Sequence, residues 1–205
     1  IVGLVAVGSI SMTLYVIHAR RTGSPVLDFS LLRLSTMRAS IIGGFLFRLG
    51  IGALPFLLPL LMQEGFGLSP FQSGMVTFSS AVGAMGMKTL AARIIRTFGF
   101  RNLMTINAIV SSVFLAACAL FTVSTPLLLI FIILVVGGFF RSLQFTAINT
   151  VAYAEVEPAQ MSRATTLVSV NQQLAISAGV AIGAFSVEST MLYQHVTELN
   201  ANVFP

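Results

Sequence analysis

The stretch GGFLFRLGIGALPFLLPLL, residues 43–61, is apolar at every position except Arg48. Read outward to its polar edges, the run extends from Ala39 to Met62. A helix needs about 20 apolar residues to cross a bilayer. In lipid each backbone N–H and C=O must be bonded within its own segment, so a run of this length is a helix. Pro55 and Pro59 cannot donate to the helix ladder and predict a kink near its end.

The rest of the chain repeats this pattern. Of 205 residues, 56% are hydrophobic and 8% charged, with a mean hydropathy of +0.96. A soluble domain carries about 25% charged residues. Six runs are expected to span: Ile1–Ile17, Ala39–Met62, Phe71–Met87, Leu103–Val123, Leu127–Val151 and Thr165–Val187. Alternating strands of about 10 residues, the mark of a barrel, are absent. The expected fold class is therefore all-α, a polytopic membrane helix bundle. The chain opens on Ile1 inside an apolar run, as expected of a piece of a longer protein.

Charge orients the bundle. Arg20, Arg21, Arg33 and Arg38 follow the first run; Lys88, Arg93, Arg96 and Arg101 follow the third; Arg163 follows the fifth. The intervening connections hold no base, so nine of eleven basic residues sort into alternate loops. By the positive-inside rule those loops are cytoplasmic. The net charge of +5 is thus a topology signal, and no nucleic-acid partner is expected. "VLDFSLLRL", residues 26–34, has the spacing of a short interfacial helix, with an ordered linker as the alternative. Cys118 is single, and His18 and His195 have no partners at metal-ligand spacing. No metal and no cofactor is expected. Neither a phosphate loop nor a dinucleotide fingerprint occurs, and two loop histidines assemble no catalytic set, so no enzyme is expected.

Arg48 and Arg141 are the two bases inside runs. Each lies roughly 15 Å from the ends of its run, near mid-depth. A charge there costs about 2.5–3.5 kcal/mol on insertion scales and requires a partner. The runs hold no Asp or Glu between their ends. Two readings stand. Either the arginines bond carbonyls freed by Pro55 or Pro59, or an acid outside the chain, or they line a cavity and attract an anion. Gln144 and Ile148 share a face with Arg141, with Asn149 beside them. Asn171, Gln172 and Gln173 form a second polar cluster. Single amides of this kind usually join helices. The Gly179–Gly183 spacing permits close helix approach.

Several stretches together resemble a known family. "ARIIRTFGFRN" (92–102) is similar to a cytoplasmic loop motif of the major facilitator superfamily. "LPFLLPLLMQEGFGLSPFQSG" (54–74), "GAMGMK" (83–88) and "NTVAYAEVEPAQMSRATTLVSVNQQLAISAGVAIG" (149–183) resemble its fourteen-span drug:proton antiporter branch. The resemblance implies spans eight to thirteen of a transporter, with residues 1–38 as span eight plus linker and 39–205 as an incomplete C-terminal transport domain. It implies proton-coupled efflux of drugs or other small hydrophobic compounds by alternating access, from the bacterial inner membrane. The expected partners are a small-molecule substrate, the lipid bilayer and an N-terminal half absent from this sequence. Arg48, Arg141, Gln144, Asn149, Asn171 and Gln173 are the candidate cavity residues. Arg93, Arg96, Gly99 and Arg101 form the candidate gate loop. The family's usual Asp in that loop is here Arg96. Two alternatives are efflux of an organic anion, such as a carboxylate or metal chelate held by Arg48 or Arg141, and a non-transporting membrane fragment.

Overall fold

The computed structural model describes residues 2–21 and 27–194. The tail with His195 and Glu198 lies outside them. Seven α-helices follow one another: α1 (Val2–Arg21), α2 (Ser35–Gly52), α3 (Leu54–Leu60), α4 (Pro70–Phe98), α5 (Phe100–Cys118), α6 (Leu127–Ala152) and α7 (Met161–Gln194). Among the described residues, four segments are long and apolar enough to cross a membrane: Ser35–Gly65, Phe100–Cys118, Leu127–Ala152 and Pro158–Tyr193.

Three expectations are corrected. The run Ala39–Met62 starts earlier and is broken at Ala53 into α2 and α3, then ends in a wide π-turn over Leu61–Gly65. Pro55 stands in the first turn of α3, where its missing N–H does least harm, so the break falls before the proline. The run Phe71–Met87 is not among the four apolar segments. It is helical, but Ser73, Gly74, Thr77, Ser79, Ser80, Gly83 and Gly86 replace the bulky apolar residues that raise hydropathy. Finally, Lys88, Arg93 and Arg96 lie on α4, which runs to Phe98, so the long basic loop shrinks to Gly99. Gly99 takes φ +71° and ψ 154°, a conformation open essentially to glycine alone.

Small residues on α4 explain its packing. Its most extensive contact is with α6. A Cβ on Gly83 would collide with the backbone of Val135 and Phe139, and one on Gly138 with the backbone of Ser80. The two helices therefore touch backbone to backbone. α2 crosses α7 in the same way, since a Cβ on Gly52 would lie 2.8 Å from the Ile176 carbonyl oxygen. Gly179 faces the Leu49 carbonyl and Gly183 faces Ala53 and Leu57, as the GxxxG spacing predicts. α4 begins with a capping box: the Gln72 N–H donates to Ser69 Oγ at 3.3 Å, and the Ser69 N–H donates to Gln72 Oε1 at 3.0 Å.

At the base-rich end, residues Phe29–Arg33 form one short 3-10 helix, capped by Asp28. Leu31 docks into a core with Met37, Ala152, Val156, Ala164, Leu167 and Val168. The segment packs on the bundle and does not lie free in the interface. Asp28 also meets Arg163 at 3.3 Å. Glu155 accepts from the Thr36 N–H at 3.3 Å and from Ser35 Oγ at 3.2 Å, capping α2 from across the bundle. Both carboxyls are held below their usual pKa, Asp28 chiefly by the Ser30 hydroxyl and Glu155 chiefly by the Thr36 N–H.

Candidate functional site

Arg48 is sealed. It is 1% exposed on the face of α2 that meets α6, and its Nη2 donates to Asn149 Oδ1 at 2.8 Å. The guanidinium lies over the Phe145 ring, 4.7 Å from its centroid, within cation–π range. Nε has no hydrogen-bond partner. Gly44 makes the room, because a Cβ there would sit 2.5 Å from Nη1. The side chain leans toward the preceding turn, as helix geometry requires. Neither a proline-freed carbonyl nor a carboxylate among the described residues answers it. A polar amide and an aromatic face do, and they hold the cation away from open space.

Arg141 is different. It is half-buried and makes no hydrogen bond or ion pair among the described residues. It lines a cleft of about 380 Å³ formed where the α2–α3 break faces α4, α6 and α7. Pro55, Thr77, Ser80, Leu134 and Ile176 line it as well. Residues on both sides of the break, Ile51 and Gly52 before it and Leu54 and Pro55 after it, form one wall. The close approach of Gly138 to Ser80 fixes the other wall, one turn before Arg141.

The remaining candidates disperse. Gln144 is 4% exposed, and its Oε1 accepts from Asn107 Nδ2 at 2.8 Å. The same Asn107 nitrogen donates to the Phe140 carbonyl at 2.9 Å. This pair joins α5 to α6 and does not line the cleft. Asn149 holds Arg48. Asn171 Nδ2 donates to the Ile41 carbonyl at 3.1 Å and joins α7 to α2. Gln173 is exposed and lies outside the Arg141 cleft. Arg93, Arg96 and Arg101 are exposed around Gly99, with Arg93 and Arg96 one turn apart on α4. Thr77, Ser80 and Phe145 carried no signal as single residues. Only their placement opposite Arg141 and Arg48 marks them.

The arrangement offers a mostly apolar cleft with one unpaired cation and two hydroxyls, at the break of a membrane-length segment. It contains no nucleophile–base pair. The described residues bring together no group of His, Cys, Asp or Glu able to hold a metal.

Comparison with known proteins agrees with this architecture. The sequence profile of the Major Facilitator Superfamily matches residues 40–193. Relatives from Escherichia coli O6:H1, Escherichia coli K12 and Shigella boydii serotype 18 are each 32% identical over 186 residues. Each carries the name "Putative multidrug resistance protein MdtD". The aligned region covers 89% of this chain and 39% of each relative, so the chain spans well under half of their length. A multi-pass bundle of apolar helices, a break beside an intramembrane arginine, and a profile match over most of the sequence lead to one assignment: the chain belongs to the major facilitator superfamily, a family of membrane transporters and not of enzymes.

Proposed function

We propose that the chain is the C-terminal part of a proton-coupled secondary transporter that exports drugs or other small hydrophobic compounds, with the Arg141 cleft on its substrate path. One observation carries this reading. The cleft is about 380 Å³, within the range of small-molecule sites, and its walls are largely apolar with few polar groups. The names of the relatives point the same way. Rocking of two helix bundles about a mid-membrane site would supply alternating access. Residues 1–38 are then the eighth span with its linker, and 39–205 the transport domain. The profile match starting at residue 40 supports that boundary. Arg93, Arg96, Gly99 and Arg101 would form the cytoplasmic gate, and the inner membrane would be the site of action.

A second reading, efflux of an organic anion, rests on Arg141, which has no acid beside it among the described residues. Arg48 drops out of that reading because its guanidinium is enclosed. Uptake into energised inverted vesicles bearing the full-length transporter tests both. Arg141→Ala should abolish transport of an anionic substrate and leave that of a neutral or cationic drug. Equal transport of both classes before and after the change would remove the cleft from the substrate path. Absence of any proton-driven uptake by the wild type would favour the non-transporting fragment.

A further inference from the structure

Arg141 stands between two spaces. Besides the large cleft it lines a side pocket of about 20 Å³, whose other walls include Ser111, Phe114, Cys118 and Gly137. A space of that size takes one particle a little larger than water. Ser111 is 6% exposed, and its Oγ has no hydrogen-bond partner. Buried polar atoms are nearly always satisfied, so an orphan hydroxyl on a pocket wall points to an occupant. We propose that this side pocket binds one small monovalent anion, a halide, held between the Arg141 guanidinium and the Ser111 hydroxyl.

Charge decides between a halide and a water. The guanidinium has five N–H donors and no acceptor, and the serine hydroxyl can rotate to donate as well. Both known polar walls therefore present donors, which an anion accepts from without needing to donate in return. No carboxylate among the described residues offsets Arg141. Phe114 and Gly137 add an apolar surround in which an uncompensated cation is least stable. A neutral water satisfies the hydroxyl but leaves the charge unanswered. Carboxylates and phosphates exceed the space. Cys118 does not compete for the ion, because its Sγ already donates to the Phe114 carbonyl at 3.4 Å.

This site shares Arg141 with the large cleft but not Ser111, so the Ser111 and Thr77 variants separate it from the substrate reading. The full-length transporter is purified in gluconate, then titrated with sodium bromide or chloride at constant ionic strength. Its Tm should rise and saturate with halide. Ser111→Ala should weaken the apparent halide affinity about tenfold, the value of one hydrogen bond to a charged partner. Thr77→Val, which changes only the large cleft, should leave that affinity unchanged. Anomalous diffraction from bromide should place the ion between Arg141 and Ser111. The proposal is overturned by equal Tm in gluconate and bromide, or by an unaltered halide response in Ser111→Ala. A water peak in the pocket, or a bromide peak elsewhere, overturns it too. Should Ser111→Ala fail to fold, the wild-type titration and the bromide position decide alone.

Discussion

Arg48 and Asn149 should behave as one energetic unit. Asn149→Ala removes the hydrogen bond that Arg48 makes at 2.8 Å and leaves the guanidinium enclosed with only the Phe145 face. A hydrogen bond to a charged group contributes about 1.5–3 kcal/mol in soluble proteins. Side-chain bonds between membrane helices average about 0.6 and reach about 1.7 kcal/mol. With the cation 1% exposed, the upper end of the membrane range applies, and a cost of about 1.5 kcal/mol is expected. Arg48→Met is the informative partner. It removes a charge whose insertion costs about 2.5–3.5 kcal/mol while keeping the chain length. That relief offsets the lost bond and ring contact, so stability should stay within about 1 kcal/mol of wild type. In the Arg48→Met background Asn149→Ala should then cost close to nothing. The double-mutant cycle is read from unfolding of the full-length protein in detergent. An equal cost of Asn149→Ala in both backgrounds would refute the pairing. A loss of about 3 kcal/mol or more in Arg48→Met would refute the enclosure argument and point to an acid outside the described residues.

Four further outcomes follow from the packing and the charges. Gly138→Ala should destabilise by at least about 1–3 kcal/mol, because the methyl meets the Ser80 backbone. Gly86→Ala, which meets open space, should gain up to about 1 kcal/mol of helix propensity in the same unfolding assay. Gly99→Ala should cost about 1–3 kcal/mol, since φ +71° with ψ 154° strains any side chain; a neutral outcome in that assay would contradict the described turn. The contacts of Asp28 and Glu155 should hold at neutral pH and loosen below about pH 4. Both carboxyls have lowered pKa values in the folded state, so their contribution is full above the ordinary carboxylate range and lost as pH falls through the lowered values. Limited proteolysis of the linker with an acid-active protease should therefore accelerate there, and at pH 7 a neutral protease should cut Asp28→Asn faster than the wild type.

Much of the bundle was legible because lipid leaves a chain few choices. Leu127–Val151 reads as a span, and α6 covers it almost residue for residue. The break at Ala53 was only partly legible. Pro55 announces an interruption, but the Gly52–Gly179 crossing that fixes its place is a contact between distant segments. α4 reads as one more greasy run ending at Met87, yet Ser80 and Gly83 sit in backbone contact with α6, and its helix continues through three bases. The candidate site shows the same division. Arg48 and Arg141 look equivalent in sequence, two cations at mid-depth without acids. What separates them is Asn149, Phe145 and Gly44 on one side and a gap on the other, and only tertiary geometry assembles those.

The break in the second segment has an electrostatic consequence. A helix gathers roughly half a negative charge at its C-terminal end, where carbonyls point outward without partners. α2 ends at Gly52, and Ile51 and Gly52 border the cleft that Arg141 enters. Ala53 keeps helical dihedrals and α3 starts at Leu54, so the positive end of α3 offsets most of that charge. What the break leaves beside the cation is local: Pro55 brings no N–H to the Ile51 carbonyl, which a regular helix would pair with residue 55. A carboxylate in the same place would lock the guanidinium into an ion pair, whereas a backbone carbonyl leaves it with attraction to spare for an anion.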